Sequence, residues 1–586
     1  MYLLALDSTG TQPYIFGSNR LRHNIGASHL VAQATGAWAL GALAHAAPKG
    51  QQTNVEDPAT LSLRAAGEAR SQIEKNDDLA AEVLYAGGGN VVALFRREED
   101  ADAFRKRLSH HLVERAPGLT LVDAGASLEW GGAQAEERAG AAARLSAVLD
   151  TVLRELGRKK AARRVPPRPV GRSVTRRGQI HGQPAVGWKD PPAGADPGEA
   201  SYPISAEAKA KEDSLHHAHQ RLRRLLPLPE GYAYPYEMDN LGRAKGEQSL
   251  VAVVHADGDR MGRRLQSVAR QDAPAGADPD RAFARRMRAF SEDVREAARG
   301  AMRDVVRGLY DFVEEHREDS TGEVQLPGVE APLELQKRGG QWLLPLRPIV
   351  FGGDDVTFVC DGRLGPALAA RYARRFEARA GARETFEGRV TPTASAGVAI
   401  VKSRSPFSRA YDLSEELARS AKDKRADMDP VGSCMDWHLA LGDIAGPLEK
   451  VRAQYEVSSP GETVRQLTVR PVAITGGQSS DVARWETLRA RTRDFRTTEH
   501  ARGKLKQLRE TLPKGEDATA AFVEEQGMSG LFPGGAGGYH GDKTPYLDAL
   551  ELMDFAVLDD ALEAYEQSSS GDGSGDAQAE TESAER

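Results

Sequence analysis

The sequence has almost no cysteine. Its two thiols, Cys360 and Cys434, lie far apart in a chain of 586 residues. A disulfide scaffold and a four-cysteine zinc site are thereby excluded. Charge of one sign is also scarce. The 78 basic and 85 acidic residues leave a formal net charge of −7, too little to commit the protein to nucleic acid or membrane through a global field. No apolar run reaches the roughly 18 residues of a membrane-spanning helix. The opening MYLLALDSTG has no basic leader and meets an acid at Asp7, so no signal peptide is expected. What is present suits a soluble chain: 40% apolar and 28% charged residues, material for several domains of ~100–200 residues each. A cytoplasmic, multidomain protein is the expectation.

Residues 1–157 read as one α/β unit. A short apolar strand at 2–6 stops at the turn-formers Asp7, Ser8 and Gly10. Residues 26–47 are too long and too rich in Ala and Leu for a strand and read as helix. Two β-type runs around Gly87-Gly88-Gly89 predict a hairpin over 82–95, and helices are expected at 98–114 and 133–156. Residues 158–245 form a linker region with a small helical insert at 206–226. Its first part, 158–177, carries nine Lys or Arg and no acid, broken by Pro166, Pro167 and Pro169. Such a segment cannot bury a core; it is a solvated linker or an arm for nucleic acid. A second α/β unit spans 246–440, and a helical region follows at 441–566. There Ser480-Asp481 can cap one helix, with further helices at 498–512 and 544–565. The tail 567–586, rich in Ser, Gly and Glu, reads as disordered.

The second unit carries the chemistry. Residues 249–256 are an apolar strand that delivers Asp257 and, past the strand end, Asp259. Ligands of α/β folds sit beyond the carboxyl ends of strands, and a helix start expected at 263 favours phosphate there. Residues 348–360 are two apolar strands around Gly352-Gly353-Asp354-Asp355. The glycines permit a tight hairpin and the approach of a large ligand. Adjacent aspartates in a turn repel each other unless cations neutralise them, and hard oxygen donors suit Mg²⁺ or Mn²⁺. If the Asp257 strand lies beside this hairpin, the carboxylates converge as two-metal phosphoryl transfer requires. A third strand, 393–401, precedes a helix at 411–427 that contains Lys422. Lys422 is either a point charge for a β- or γ-phosphate or a plain exposed lysine.

The two units match. Gly87 and Gly88 fall on Gly352 and Gly353, Gly89 and Asn90 take the places of Asp354 and Asp355, and residues 3–7 resemble residues 253–257. The chain thus reads as a duplicated unit that keeps its paired carboxylates only in the second copy.

His255-Ala-Asp-Gly-Asp-Arg-Met-Gly262, Phe351-Gly-Gly-Asp-Asp-Val-Thr-Phe358 and the segment from Gln12 to Ser28 resemble the large subunit of type III CRISPR effector complexes, a palm-domain polymerase/cyclase that makes cyclic oligoadenylates. The resemblance implies an α+β multidomain chain of two ferredoxin-like palm domains plus a C-terminal α-helical domain. It implies Mg²⁺ (or Mn²⁺) on Asp257, Asp354 and Asp355, with ATP as substrate. It places Lys422 at the triphosphate, and Gly258, Gly352, Gly353 and Ser18 in the nucleotide-binding set. Guide RNA, target RNA and other effector subunits are the implied partners, and no membrane. Many family members begin with an HD nuclease; no His-Asp dipeptide occurs here, so metal-dependent DNA cleavage is not expected. Residues 171–188, with Ser173 and His181, resemble the family's zinc insert without its cysteines, so no zinc is expected. The His216, His217, His219 cluster sits among Lys and Arg and reads as a solvated helix face. Three functions remain open on the sequence: a cyclic oligoadenylate synthase, an RNA-binding scaffold subunit with little catalysis, and a stand-alone cyclase making another cyclic nucleotide.

Overall fold

The computed structural model describes residues 1–130, 144–162, 174–180, 182–190, 200–241, 249–269, 271, 273–274, 277–329, 331–386, 389–442, 446–457, 465–477, 483–532, 538–539 and 543–555. It is a mixed α+β chain built around two main sheets. The first unit contains β1 (Tyr2–Thr9), α1 (Thr11–Phe16), α2 (Leu21–Ala34), α3 (Ala37–Ala46), β2 (Leu79–Gly87), β3 (Asn90–Phe95), α4 (Glu98–Arg115), β4 (Thr120–Ser127) and α5 (Arg144–Ala162). The stretch read as one helix over 26–47 is two, because the chain turns at Gly36 between α2 and α3. The last helix, expected to end at 156, runs on to Ala162, which brings the first basic residues of the expected linker into the unit.

Between the units lie a two-stranded ladder of β5 (Ala185–Lys189) and β6 (Tyr202–Ser205) and two helices, α6 (Ala206–Asp213) and α7 (Leu215–Leu225). Ser173 and His181 of the zinc-insert reading lie outside the described residues, as do Ser480-Asp481 and the tail 567–586. The second unit contains β7 (Leu250–Gly258), α8 (Met261–Ala269), α9 (Pro279–His316), β8 (Leu346–Val350), β9 (Asp355–Asp361), α10 (Gly365–Gly381), β10 (Ala394–Lys402), α11 (Phe407–Arg425), β11 (Cys434–Ala440) and the short β12 (Val472–Ala473). Helices α12 (Trp485–Thr497), α13 (Arg502–Thr511), α14 (Glu516–Glu525) and α15 (Tyr546–Glu551) follow.

The two sheets share one strand order. In the first it is β2-β3-β1-β4, with residues 52–53 added at the β2 edge; in the second it is β8-β9-β7-β10, with β11 and β12 added beyond β10. In both, the first strand pairs antiparallel with the third and the fourth. The registers repeat as well: Asp7 faces Asn90, and Asp257 faces Asp355.

Strand β7 shows why the halves hold together. Successive side chains of a strand point to opposite faces. Ala252, Val254 and Ala256 enter the core formed with α9 and α10. Val251 and Val253 enter a second core, shared with Leu4, Leu6 and Ile25 of the first unit. A one-residue slip of β7 would invert both cores, so its register, and with it the position of Asp257, is strongly fixed. Helix α9, 38 residues long, is started by Asp278, whose carboxylate accepts from the N–H groups of Asp280 at 2.9 Å and Arg281 at 3.3 Å, with Pro279 at the first turn. Arg281 ties it to the first unit through Glu74 and, at 2.6 Å, Glu82.

Candidate active site at the junction of the two units

The carboxylates meet at one end of the second sheet. Asp257 is the next-to-last residue of β7, and its cross-strand partner Asp355 is the first of β9. Asp354 is pulled in by its backbone, whose carbonyl accepts from the Gly258 N–H at 3.1 Å. The glycines are required for this approach. Gly352 has φ 118°, a region that favours glycine. A Cβ on Gly258 would stand 2.7 Å from Met261 Cε and 2.8 Å from Asp354 Cβ.

Helix α11 brings Lys422 onto Asp257 as an ion pair. The helix lies flat on β10 because Gly397 has no side chain: a Cβ there would be 2.0 Å from the Ser414 carbonyl oxygen. On the other side, His255 Nδ1 stands 3.3 Å from Thr357 Oγ1 and 3.4 Å from Asp355 Oδ1. Burial lowers the His255 pKa, so the imidazole is held neutral there. Burial, then the neighbouring carboxylates Asp257 and Asp355, pushes Asp354 up to about 7. Asp355 is likewise pushed up to about 7, by burial and then Asp257. Asp355 Oδ1 has no hydrogen-bond partner.

Asp259 stands apart. Its carboxylate accepts from Thr393 at 2.7 Å and Ser395 at 2.8 Å and pairs with Arg425 at 2.9 Å, so it locks α11 to the sheet and has no oxygen to spare for a metal. Ser18 also lies elsewhere. It is buried, its hydroxyl accepts from the Arg20 N–H at 3.1 Å and stands 3.4 Å from His23 Nδ1, and it lines neither cavity described below. Its hydroxyl organises the turn before α2. His216 and His217 are exposed on α7, and Gln220 is bonded to His216.

A cavity of about 490 Å³ opens between the two units, lined on one side by Gly352, Gly353, Asp354 and Asp355 and on the other by Asp7, Gly88 and Asn90. Its lining also includes the apolar side chains of Ile15, Val31 and Leu61. A second cavity of about 340 Å³ shares Asp7, Asn90, Arg295, Gly353 and Asp354 with it. These sizes fall within the range of small-ligand sites.

Two groups at this junction were not read from the sequence. Lys160, near the end of α5, pairs with Asp7 just as Lys422 pairs with Asp257. With its amide turned to donate, Asn90 gives Asp7 hydrogen bonds of 2.9 and 3.1 Å. The repeat contained the signal for Lys160, because each unit's last helix returns a lysine to the first strand's aspartate. Arg221, Arg295 and Arg299 also line the larger cavity. The last two are i,i+4 on α9, but nothing in the sequence places that helix here.

Among the described residues, no group of three His, Cys, Asp or Glu already stands in a metal-holding arrangement. The donors nevertheless fit a hard divalent cation. Two carboxylates in the turn face Asp257 on β7, burial and then these neighbouring charges raise Asp354 and Asp355, and a buried Asp355 oxygen is left without a hydrogen-bond partner.

Residues 250–429 match the family model of the Cas10/Cmr2 second palm domain. The chain carries a Cas10-like palm domain. Among solved structures, Csm1 of T. onnurineus is similar at 14% identity and a TM-score of 0.48, over 95% of this chain and 69% of that one. The Csm1–Csm4 cassette in complex with cA4 is similar at 13% identity and a TM-score of 0.47, over 95% and 70%. No curated protein matches the sequence. The matched span of the Cas10-like palm contains Asp257, Asp354, Asp355 and Lys422. Among the described residues, no helix is long and apolar enough to cross a membrane.

Proposed function

We propose that the chain is a metal-dependent nucleotidyltransferase that joins ATP into cyclic oligoadenylates, acting in the cytoplasm as the large subunit of an RNA-guided type III CRISPR complex. The two sheets, with the helices on them, are read as ferredoxin-like palms over 1–157 and 246–440, the second catalytic, followed by a helical domain over 441–566. One observation carries the reading: Asp257 is the cross-strand partner of Asp355, and Asp354 and Asp355 line a cavity that both units build.

In this reading Asp257, Asp354 and Asp355 hold Mg²⁺ or Mn²⁺, which neutralises phosphate charge and favours ionisation of a ribose hydroxyl. Gly258, Gly352 and Gly353 leave the backbone bare where phosphates approach. Lys422 leaves Asp257 for a β- or γ-phosphate, and Lys160 offers the first unit an equivalent charge for a second nucleotide. The apolar side chains of Ile15, Val31 and Leu61 in the lining seat a base. The hydroxyl of one nucleotide attacks the α-phosphorus of the other. An O–P bond forms, the bond from that phosphorus to the bridging oxygen breaks, pyrophosphate leaves and the hydroxyl proton passes to water. Most of the rate gain comes from positioning and charge neutralisation.

The test is incubation with ATP and Mg²⁺ or Mn²⁺, with and without guide RNA, target RNA and partner subunits. Products are read by mass spectrometry beside an Asp354→Ala, Asp355→Ala variant. Oligoadenylates formed by the wild type and lost in the variant support the proposal. ATP turnover that persists in the variant refutes the site, and silence under every condition leaves the scaffold reading.

A further inference from the structure

Helix α9 crosses the junction and presents Arg295 and Arg299 one turn apart to the larger cavity, and α7 presents Arg221 to the same place. Arg221 and Arg299 gather over the bare Gly352 turn: a Cβ built on Gly352 would meet Arg221 Nη2 and Arg299 Nε, each at 3.9 Å. Such a gathering of guanidiniums is unfavourable without an anion. Among the described residues, none of the three pairs with Asp354 or Asp355. Arg295 and Arg299 each hold one glutamate from the preceding turn, Glu292 at 3.0 Å and Glu296 at 3.2 Å. Those glutamates are 57% and 40% exposed, whereas Arg295 and Arg299 are 19% and 18% exposed, so the carboxylates lie toward solvent. The inner edges remain open: Arg295 Nε and Arg299 Nε are buried without a hydrogen-bond partner. Among the described residues, Arg221 has the face of Phe351, at 5.3 Å, against its guanidinium and no carboxylate paired with it. Burial and then the charge of Arg299 lower its pKa to about 10, the mark of a cation that lacks a counter-charge.

We propose that Arg221, Arg295 and Arg299 form a metal-independent clamp for the triphosphate of a nucleotide at the Gly352 turn. The inference rests on the nucleotide reading of this cavity and adds the residues that grip the polyphosphate. A guanidinium offers a planar fork of donors that matches phosphate oxygens, and a buried one gains more from them than a solvated one. The carboxylates across the turn hold the metal-borne phosphates, and the arginines hold a second anionic group without metal. One turn thereby separates two phosphate chains that would otherwise repel.

The experiment measures binding of inorganic tripolyphosphate, ATP and AMP to the full chain in EDTA by calorimetry. The wild type is compared with Arg221→Met, Arg299→Met and the double variant. The wild type should bind tripolyphosphate and ATP and discriminate against AMP, and each substitution should weaken tripolyphosphate by about tenfold or more. Methionine keeps the stem's packing and removes a charge that on Arg221 faces no carboxylate among the described residues and on Arg299 has only the solvent-side Glu296, so the ligand-free variants should melt no lower than wild type. Tripolyphosphate should raise the melting temperature of the wild type and not of the double variant. The proposal is overturned if the wild type does not bind tripolyphosphate in EDTA, if AMP binds as well as ATP, or if the variants bind unchanged. A lower melting temperature in the ligand-free variants also overturns it, since that marks the arginines as structural. Tripolyphosphate binding without any nucleotide product would sink the transferase reading and leave the clamp standing. Product formation with unaltered anion binding in the variants would do the reverse.

Discussion

Removing the charges of Asp354 and Asp355 should stabilise the metal-free protein while abolishing turnover. Each carboxyl is raised from 3.8 to about 7, chiefly by burial and then by neighbouring carboxylates. For an isolated, fully buried group, that rise corresponds to about 4 kcal/mol at ~1.4 kcal/mol per pKa unit. The figure must be reduced here. The Asp355 side chain is 48% exposed, and the two groups share one repulsion, so about 2 kcal/mol for the pair is the working value. The sign follows from proton uptake. Between pH 3.8 and about 7 the folded state binds more protons than the unfolded one, so the wild type loses stability as pH rises through that window. An Asp354→Asn, Asp355→Asn variant lacks the loss. By differential scanning fluorimetry at pH 8 in EDTA it should melt about 4–8 °C above wild type, at ~2–4 °C per kcal/mol. Mg²⁺ should close most of the gap by raising the wild type alone. A variant no more stable than wild type in EDTA refutes the claim that the turn is electrostatically frustrated.

Lys422→Ala should lower nucleotidyl transfer by roughly 10²-fold while changing stability by about 1 kcal/mol or less, because both partners of its ion pair are about a third exposed. Steady-state kinetics beside a melting curve separate the two effects. Gly397→Ala should destabilise by about 2–3 kcal/mol and shift α11, since a Cβ there would stand 2.4 Å from Ala418 N as well as against Ser414. Urea denaturation reads the loss, and unchanged stability would contradict the packing of α11 on β10. His438 is lowered to about 3, by burial and then by Arg470 and Arg452. The unfolded state therefore gains a proton that the folded state refuses, and stability falls as pH drops below 6.5. At pH 4.5 that group costs about 2–3 kcal/mol, so His438→Gln should flatten the acid limb of the stability curve.

The carboxylate turn was legible because its chemistry is local. Apolar runs on both sides of Gly352-Gly353-Asp354-Asp355 leave little choice but a hairpin, and strand β7 carries Asp257 beside it. The duplication was legible for the same reason, and the paired registers of Asp7 with Asn90 and Asp257 with Asp355 repeat it in three dimensions. What escaped depends on distant packing. Lys160 sits in a run of basic residues that looks like solvated linker, yet the continuation of α5 to Ala162 turns it onto Asp7. Arg221 and the α9 arginines are surface-like in pattern, and only the crossing of α9 over the junction brings them to the cavity. Ser18 lies in a segment whose resemblance suggested a nucleotide contact, but its hydroxyl is spent on the turn before α2. Asp259, two residues from Asp257, differs from it because Thr393, Ser395 and Arg425 close around it.

The central claim is that nucleotide and metal meet at Asp257, Asp354 and Asp355 in the cavity between the two units. Its most direct test is a crystal structure with Mn²⁺ and a non-hydrolysable ATP analogue, with the metal located by anomalous scattering. The claim predicts a manganese peak bridging Asp257 and the Asp354-Asp355 turn, with polyphosphate density in the inter-unit cavity and Lys422 released from Asp257. A peak elsewhere, or nucleotide bound away from this cavity, would contradict it.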